Sequence, residues 1–465
     1  MEKKRDYSLF KIVLIPLLLY MVLTWFIPAG SFSSGEFVKG EIQPLGLYGL
    51  FVSPVYSFSV FAQYIVLFLC IGGFYGVLNK TEVYQKVVDY FAHKNKTCFL
   101  IGTVLIFSIL SSLFGETMLV FILLPFFVAV LLKLGYDKVS SIAATVGASI
   151  IGMIASISGN LAVYKNFFNL DPKVFTIFAF IMLVIFGLLL CLLIISKSKS
   201  SDSKKLTAKD IPLFETAKSN SKSVVPLVII LSVALILIIL GSYEWYYSFG
   251  LEVFTNLHQK ITGIELFGVK IFERIFGNFS EIGYFSNYDL GAILVISSAL
   301  IAWVYSVKLD EFIESFKEGA KEMIMPAIYV TLASAIFAQV VTNSANISTT
   351  ISNFMLKLSP DFNVATGTAT GILGGLFYNN YLYFINSIRS IISLYNTNML
   401  PFILYVLQST FGIMMFVLPV SMLLIGALRY LKVSYKEWIK YIWRFILQIF
   451  AISLIGSIIL SMIIK

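Results

Sequence analysis

The sequence predicts an all-α polytopic membrane protein with two inverted repeats, about nine transmembrane helices and two re-entrant helical hairpins. Three observations support this fold class. First, 58% of the 465 residues are hydrophobic and only 13% are charged, with a mean hydropathy of +0.89, and a soluble fold could not bury so much apolar surface. Second, two long apolar stretches carry polar interruptions. Third, the order of elements around these stretches occurs twice.

Charge and residue counts exclude several other classes of protein. The chain has 34 Lys and Arg residues against 25 Asp and Glu residues, a net charge of +9. In a membrane protein this excess is typical of cytoplasmic loops rather than of nucleic-acid binding. Three cysteines and two histidines lack the spacing of a zinc site. The sequence shows no phosphate loop and no nucleophile–base pair, so we predict neither an enzyme nor an ATP-driven pump.

Nine apolar segments have roughly the 20 residues that a helix needs to cross the hydrocarbon core. The first follows Lys3, Lys4 and Arg5 and is long for a cleaved signal peptide, so we expect it to remain as a helix. The nine segments are Leu9–Pro28, Val60–Leu78, Val139–Tyr164, Phe175–Ile194, Val224–Leu240, Leu290–Val307, Met323–Val341, Met399–Leu428 and Tyr441–Ile464.

Two further apolar stretches are interrupted in the middle. Segment 98–134 contains the polar run Ser111–Thr117, and segment 364–394 contains the run Gly374–Asn380. Each stretch reads as two half-helices that meet at a tip inside the membrane. Irregular backbone is tolerated at that depth only where protein or a water-filled cavity satisfies its polar groups. We therefore predict two re-entrant hairpins.

The loop charges predict the orientation of the chain. Segment 196–223 holds seven lysines and is expected to be a cytoplasmic linker, whereas 241–289 has six acidic residues against three basic ones and is expected outside. With the N-terminus in the cytoplasm and 224–240 as an extra crossing helix, the first hairpin enters from the cytoplasm and the second from outside. The two halves, 1–195 and 290–465, then form inverted repeats.

Each repeat has the same order of elements. A span, a second span, a surface helix, a hairpin, a broken span and a final span follow one another, and the surface helices are predicted at Thr81–His93 and Ser348–Leu358. Inverted repeats with broken helices are the architecture of secondary transporters.

Short motifs along nearly the whole chain resemble those of the YfcC/DcuC-like carriers. The motifs are Trp25–Gly30, Gly115–Thr117, Leu124-Pro125, Leu134–Asp137, and the set Gln408, Gly412, Pro419 and Ser421 followed by Lys436–Trp438. The resemblance implies membership of a wider group that includes AbgT-type and divalent-anion carriers, in which hairpin tips bind the substrate. Family members are linked to C4-dicarboxylates and to basic amino acids such as arginine and ornithine.

Several positions depart from that family's pattern. In the second broken helix, where family members usually carry Asp, Thr and Asn, this chain has Phe411, Met414 and Met415. The second tip is Tyr378-Asn379-Asn380 instead of a Ser/Gly-rich run, and the residues after the first break are Gly159-Asn160 instead of Asn-Pro. These changes remove candidate cation and substrate ligands from the second half.

Two charged residues are predicted to contact the solute. Glu116, between Gly115 and Thr117 at the first tip, places a carboxylate at membrane depth, which is a functional-site hypothesis by default. Arg389 lies beyond the second tip and has a guanidinium suited to a carboxylate. If both face one cavity, they would bind the two ends of a zwitterionic amino acid. The structural alternatives are a helix cap for Glu116 and an ion pair or an interfacial position for Arg389.

Polar residues at the helix breaks complete the predicted site. Unwound backbone with hydroxyl and amide oxygens suits Na⁺, which predicts a possible Na⁺ site at Ser156, Ser158 and Asn160. Helix packing through small residues and simple turn formation are the alternatives. Besides Glu116 and Arg389, the residues of the tips and the break that are expected to contact the solute are Gly115, Thr117, Ser156, Ser158, Gly159, Asn160, Asn379 and Asn380.

The sequence and the resemblance together predict a secondary active transporter, either an antiporter or an ion-coupled symporter. The expected solute is a small charged organic molecule, foremost an amino acid such as arginine or ornithine, and the alternative is a C4-dicarboxylate. An alternative from another class is a non-transporting scaffold or receptor derived from a carrier. No cofactor is expected besides a coupling Na⁺ or H⁺. The predicted location is a bacterial plasma membrane, and the resemblance implies a possible homodimer.

Overall fold

The computed structural model describes residues 8–33, 36–115, 118–169, 173–200, 211–215, 222–277, 279–342, 347–358 and 362–464. Over this part of the chain the protein is helical, with two small antiparallel β-hairpins. The all-α class predicted from the composition is therefore confirmed, and the short strands lie in the connections between helices.

In the N-terminal half of the chain, most of the apolar helices begin and end near the boundaries of the hydrophobic segments in the sequence. The elements of this half are α1 (Ser8–Thr24), β1 (Gly30–Ser33), β2 (Glu36–Lys39), α2 (Leu47–Val60), α3 (Ala62–Lys80), α4 (Val83–Ala92), α5 (Lys96–Phe114), α6 (Leu119–Lys133), α7 (Lys138–Ile142), α8 (Ala148–Ile154), α9 (Leu161–Phe168) and α10 (Lys173–Ser200). A π-helical turn, Ala143–Gly147, joins α7 to α8.

The remaining elements are α11 (Val225–Ser242), α12 (Trp245–Phe249), α13 (Val253–Thr262), β3 (Glu265–Leu266), β4 (Val269–Lys270), α14 (Ile271–Phe276), α15 (Asn287–Val304), α16 (Leu309–Ala333), α17 (Ala335–Thr342), α18 (Ile347–Lys357), α19 (Val364–Phe377), α20 (Tyr381–Ile392), α21 (Leu400–Met414), α22 (Met422–Leu431) and α23 (Tyr435–Ile464). A 3₁₀ turn, Thr397–Met399, precedes α21. Most of the predicted linker 196–223 lies outside the described residues, although α10 continues to Ser200.

Six of the described helices are long and apolar enough to cross a membrane, namely α3, α5, α10, α11, α15 and α23. Five of them correspond to predicted spans, and α5 is the first arm of the first hairpin. The other four predicted spans are shorter or broken. Helix α1 has 17 residues, 139–164 divides into α7, α8 and α9, and 399–428 divides into α21 and α22.

The structure differs from the prediction at 323–341, which the hydropathy pattern treats as one span. Helix α16 ends at Ala333, and α17 begins at Ala335. The side chain of the intervening Ser334 donates a hydrogen bond back to the carbonyl of Val330 at 3.0 Å. Such back-bonding by Ser bends helices, and a single hydroxyl in an apolar run gives little warning of a break.

Both predicted hairpins form. In the first, the rings of Phe107 on α5 and Phe127 on α6 lie 5.1 Å apart, and at the open end Lys96 Nζ donates to the carbonyl of Gly135 at 3.4 Å. In the second, α19 and α20 are joined by Tyr378–Asn380. The open end of this hairpin is closed by an edge-to-face contact between the rings of Phe362 and Tyr395, whose centroids are 5.6 Å apart.

Asparagine caps fix where the hairpin arms begin. The side chain of Asn95 accepts from the Cys98 N–H before α5, and that of Asn363 accepts from the Thr366 N–H before α19. Each cap satisfies one of the N–H groups that a helix leaves without an internal partner. These local signals agree with the hydropathy boundaries.

The chain forms two compact units that are discontinuous in sequence. Unit 1 comprises Met1–Ala62, Phe91–Pro212 and Met325–Lys465, and unit 2 comprises Gln63–Tyr90 and Leu213–Ile324. Unit 1 therefore contains both hairpins and the helices broken at 155–160 and 415–421. Unit 2 contains α3, α11 and α15, together with the segment 241–289 and its short elements α12, α13, β3, β4 and α14.

Within unit 2, α3 and the first part of α16 cross with their backbones in contact. A Cβ atom added at Gly72 would overlap the carbonyl oxygen of Gly319, and one added at Gly76 would overlap that of Ser315. Small residues of this kind allow close helix packing in membranes. Gly72 and Gly76 therefore serve as packing residues.

We expect Gly76→Val to destabilise the protein by about 1–3 kcal/mol, because overpacking forces the two helices apart. The midpoint of thermal unfolding in detergent, followed by size-exclusion chromatography after heating, measures the effect. Gly187→Val on α10 is the matched control, since nothing lies within 4 Å of a Cβ added there. Equal midpoints for the two variants would contradict the crossing.

Candidate functional site

In unit 1, the two hairpin tips, the break at 155–160 and helix α21 surround one pocket. Its cavity volume is about 40 Å³. The residues that line it are Phe114, Gly115, Met153, Gly159, Asn160, Asn380, Tyr381, Leu382, Gln408, Phe411 and Gly412. Four of the predicted site residues are among them, namely Gly115, Gly159, Asn160 and Asn380. Glu116 and Thr117 lie outside the described residues.

A single serine connects the first tip to the first break. The carbonyl of Ser112 accepts from the N–H groups of Ile157, Ser158 and Gly159 at 3.1, 3.2 and 3.1 Å. Its hydroxyl donates to the carbonyl of Ala155 at 2.8 Å and accepts from the Ile157 N–H at 2.9 Å. The unwound backbone between α8 and α9 is thus satisfied by the last turn of α5.

The two predicted serines of the break take part in the same connection. Ser156 Oγ donates to the carbonyl of Ser112 at 3.3 Å, and Ser158 Oγ donates to the carbonyl of Leu113 at 3.2 Å. Both side chains are buried, and neither is among the residues that line the pocket. Their hydroxyl protons bind the break to the hairpin, while the predicted Na⁺ coordination stays a prediction.

Two glycines allow the tip and the break to approach this closely. A Cβ added at Gly159 would overlap the backbone of Gly115, whose Cα would be only 2.7 Å away. Gly115 itself has φ = +76°, a conformation that residues with a Cβ rarely adopt. Neither position can accept a larger residue without moving the tip.

Gln408, in the middle of α21, connects the two broken helices. Its Nε2 donates to the carbonyl of Ile154 at 3.0 Å, and its Oε1 accepts from Asn160 Nδ2 at 3.0 Å and from the hydroxyl of Tyr164. The side chain is buried. An amide has two N–H donors, so one donor of Gln408 is left over at the pocket wall.

The polar network continues into the second hairpin. The hydroxyls of Tyr164 and Tyr381 are 3.4 Å apart, and that of Tyr381 donates to the carbonyl of Leu404 at 3.1 Å. Tyr164 belongs to the first predicted repeat, whereas Tyr381 begins α20 and Leu404 lies on α21, both in the second. The network therefore joins elements from both predicted repeats.

The two asparagines of the second tip have different positions. Asn380 lines the pocket and caps α20, because its Oδ1 accepts from the Leu382 N–H at 2.8 Å. Asn379 is buried behind the tip, where its Nδ2 donates to Ser334 Oγ at 2.9 Å. The structure therefore brings Asn380 to the pocket and directs Asn379 toward the break between α16 and α17.

Arg389 is not brought to the pocket. Its side chain is exposed, and its guanidinium carbon lies 4.5 Å from the ring centroid of Phe167, a residue of α9. This is a cation–π contact. Its expected partner Glu116 lies outside the described residues, and Arg389 has Phe167 as a structural partner.

The pocket has a defined electrostatic character. Two helices begin at it, α9 directly after Asn160 and α20 directly after Asn380. The N–H groups of a first turn have no partner within their helix, and the helix dipole places partial positive charge there. None of the described lining residues carries a formal charge. The arrangement suits an anion.

Several residues of the pocket wall and of the polar network behind it were absent from the sequence-based site. Gln408 appeared there only as part of a family motif, although an amide in the apolar segment 399–428 was a detectable signal. Tyr164 and Tyr381 gave none, because tyrosines are frequent in apolar and interfacial segments of membrane proteins. Phe114 and Met153 read as ordinary core residues, and Phe411 appeared only as a departure from the family's pattern.

We expect Gln408→Leu to lower the free energy of unfolding by about 1–3 kcal/mol, because three buried partners lose their hydrogen bonds. The thermal midpoint in detergent measures the loss. Ser409→Ala is the matched control, because the hydroxyl of Ser409 bonds only within its own helix, to Val406 at 3.3 Å. A Gln408→Leu midpoint no lower than that of the control would contradict the connecting role.

Comparison with known proteins identifies the family. The family model of DcuC, the C4-dicarboxylate anaerobic carrier, matches residues 7–365. This match includes the first tip and the first break and ends at the start of α19. No curated protein sequence matches the chain. The crystal structure of the YdaH transporter of Alcanivorax borkumensis is similar to this chain, with 14% sequence identity and a TM-score of 0.41. The alignment covers 98% of this chain and 97% of the YdaH chain. The chain belongs to the C4-dicarboxylate anaerobic carrier family and is an integral membrane carrier protein.

Proposed function

We propose that this protein is a secondary carrier of C4-dicarboxylates, with the pocket between the two tips as the solute site. The observation that carries the proposal is that two helices, α9 and α20, begin at the same pocket. The described residues that line this pocket carry no formal charge. A dicarboxylate has two anionic groups, and each N-terminus offers N–H donors to one of them. The family's own solute class supports the same assignment.

Neutral donors supplement the helix termini. Gln408 lines the pocket and its amide is held by the bonds to Ile154 and Asn160, so its second N–H is the neutral donor that we assign to the solute. Fixed neutral donors bind a carboxylate without holding it as tightly as a buried cation would, which suits a site that must release its solute. Phe114 and Phe411 give the carbon chain apolar contacts.

The amino-acid hypothesis has less support than the dicarboxylate hypothesis. It depended on Glu116 for the ammonium or guanidinium group and on Arg389 for the carboxylate. Arg389 contacts Phe167 instead of lining the pocket, and the family model names a dicarboxylate carrier. Arginine and ornithine are therefore the comparison solutes of the test.

Transport would proceed by movement of the hairpin-bearing unit. Both tips and both breaks belong to unit 1, so the pocket can move as one body while the hairpins change which side has access. The same proposal includes coupling of transport either to Na⁺ bound at Ser156, Ser158 and Asn160 or to H⁺ bound at Glu116.

It also includes the location and the assembly of the protein: a bacterial plasma membrane, with the N-terminus in the cytoplasm, and a homodimer.

The decisive experiment is counterflow of labelled succinate, arginine and ornithine in proteoliposomes. We expect exchange of succinate and none of the two amino acids. Glu116→Gln should leave succinate exchange measurable, because the proposed site holds the solute by helix N-termini and neutral donors and not by this carboxylate. Amino-acid exchange that is abolished by Glu116→Gln would contradict the proposal and favour the amino-acid carrier. No exchange of any of the three would favour a non-transporting protein.

A single-atom change at the second tip tests the anion site more sharply. Asp is as good a helix cap as Asn, so Asn380→Asp should fold normally while adding a negative charge where a carboxylate binds. We expect succinate exchange at subsaturating concentration to fall by about tenfold or more, the factor for about 1.4 kcal/mol of repulsion. A cationic solute would instead be retained or bound better.

Asn398→Asp is the matched control for this variant. Asn398 is exposed and does not line the pocket, so the same change of charge should leave exchange unaltered. Equal succinate exchange in the two variants would show that no carboxylate binds near Asn380.

A further inference from the structure

A second cavity lies within unit 1, away from the solute pocket. It is a groove with a cavity volume of about 620 Å³ between α1, α18 and α19. Its walls are almost entirely apolar, with contributions such as Leu19 and Leu23 from α1, Phe354 from α18 and Leu373 from α19. Lys39 is the one charged residue among its described lining.

The groove has about the depth of one membrane leaflet. It follows α1 from Pro16 to the end of the helix at Thr24, about 12 Å at 1.5 Å per residue, and continues to Pro28. Half of a hydrocarbon core about 30 Å thick has a similar length.

The charged residue lies at one end of the groove. The strand β1 begins two residues after Pro28, and the register of the β-hairpin pairs Gly30 with Lys39. Alternate residues of a strand face opposite sides, so Phe37 shares the face of Lys39 and Glu36 does not. The groove thus has an apolar length and a cationic end.

Residues of the kinds enriched at a membrane–water interface lie near this end. The indole of Trp25 donates to the carbonyl of Leu45 at 3.0 Å, a position typical of interfacial tryptophans. A second cation is near, since Lys357 Nζ at the end of α18 lies 6.0 Å from the ring centroid of Phe37.

The apolar walls stand open at the surface of the unit. Leu19 is 48% exposed and Phe354 is 62% exposed. In a membrane-spanning protein such a surface faces hydrocarbon, and a groove open to it admits a chain of the same chemistry. The combination of apolar length and cationic end matches an amphiphile with an anionic head group.

We infer that this groove binds the acyl chain of an anionic phospholipid, with the phosphate near Lys39. The bound chain would contact the second hairpin, because Leu373, Leu376 and Phe377 of α19 form one wall. The ring of Phe377 also contacts that of Tyr20 on α1 at 5.7 Å. The lipid therefore supports the arm that ends at the second tip.

Photolabelling of the full chain in liposomes tests the inference. Phosphatidylglycerol with a photoreactive group on its acyl chain is compared with the matching phosphatidylcholine, and the labelled peptides are identified by mass spectrometry. We expect phosphatidylglycerol to label 16–28 and 350–377 more than the lipid-facing helix α10. Lys39→Ala should lower this labelling by about fivefold, the size expected for one basic residue at an anionic head group, whereas Lys39→Arg should preserve it.

A groove-filling variant separates specific binding from general lipid contact. Leu373→Trp should reduce the labelling of both peptides several-fold, and Leu188→Trp, at a 60% exposed position of α10, should not. Should Leu373→Trp fail to give a monodisperse protein, Leu19→Trp fills the groove from the opposite wall.

Three outcomes would overturn the inference. Labelling spread evenly over α1, α18 and α10 and insensitive to Leu373→Trp would mean ordinary bilayer contact. Equal labelling by the two lipids that Lys39→Ala leaves unchanged would remove the head-group site. Absence of lipid label from both peptides would mean that protein, such as a second copy of the chain, covers the groove.

Discussion

The structure depends on one constraint: polar backbone groups of an interrupted helix must find partners inside the protein, because hydrocarbon offers none. At the first break the partner is Ser112, whose carbonyl and hydroxyl accept four N–H bonds from the unwound segment, three to the carbonyl and one to the hydroxyl. The break cannot form without the hairpin, since α5 supplies the acceptors. The hairpin tip is in turn held at the position where the helix opens.

Close approach of backbones is the second requirement. Gly159 meets Gly115, and Gly412 meets Ile154, at distances that leave no room for a Cβ atom. Dispersion and hydrogen bonding hold helices together in membranes, and both need short separations. The glycines therefore let the hydrogen bonds of Ser112 and Gln408 reach their partners and keep the pocket small.

A neutral polar network gives the pocket its rigidity. Gln408 bonds to three groups that lie more than 240 residues earlier in the chain, and Tyr164 extends the network toward Tyr381. A buried network with its members paired specifies one arrangement of side chains. None of the described lining residues is charged, so the positive ends of α9 and α20 are the main electrostatic feature of this part of the pocket.

The sequence by itself determined the helical class, the bounds of most helices, both hairpins and the positions of both tips. These features are local, since hydropathy decides which segments enter hydrocarbon, and glycine and asparagine decide where a chain turns. It missed the break at Ser334, where one hydroxyl interrupts an apolar run. Only the tertiary structure decided which polar residues meet. It placed Asn160, Asn380 and Gln408 at the pocket, used Ser156, Ser158 and Asn379 as internal partners, and left Arg389 against Phe167. The direction of a side chain at a broken helix depends on contacts with segments hundreds of residues away, and no local pattern encodes them.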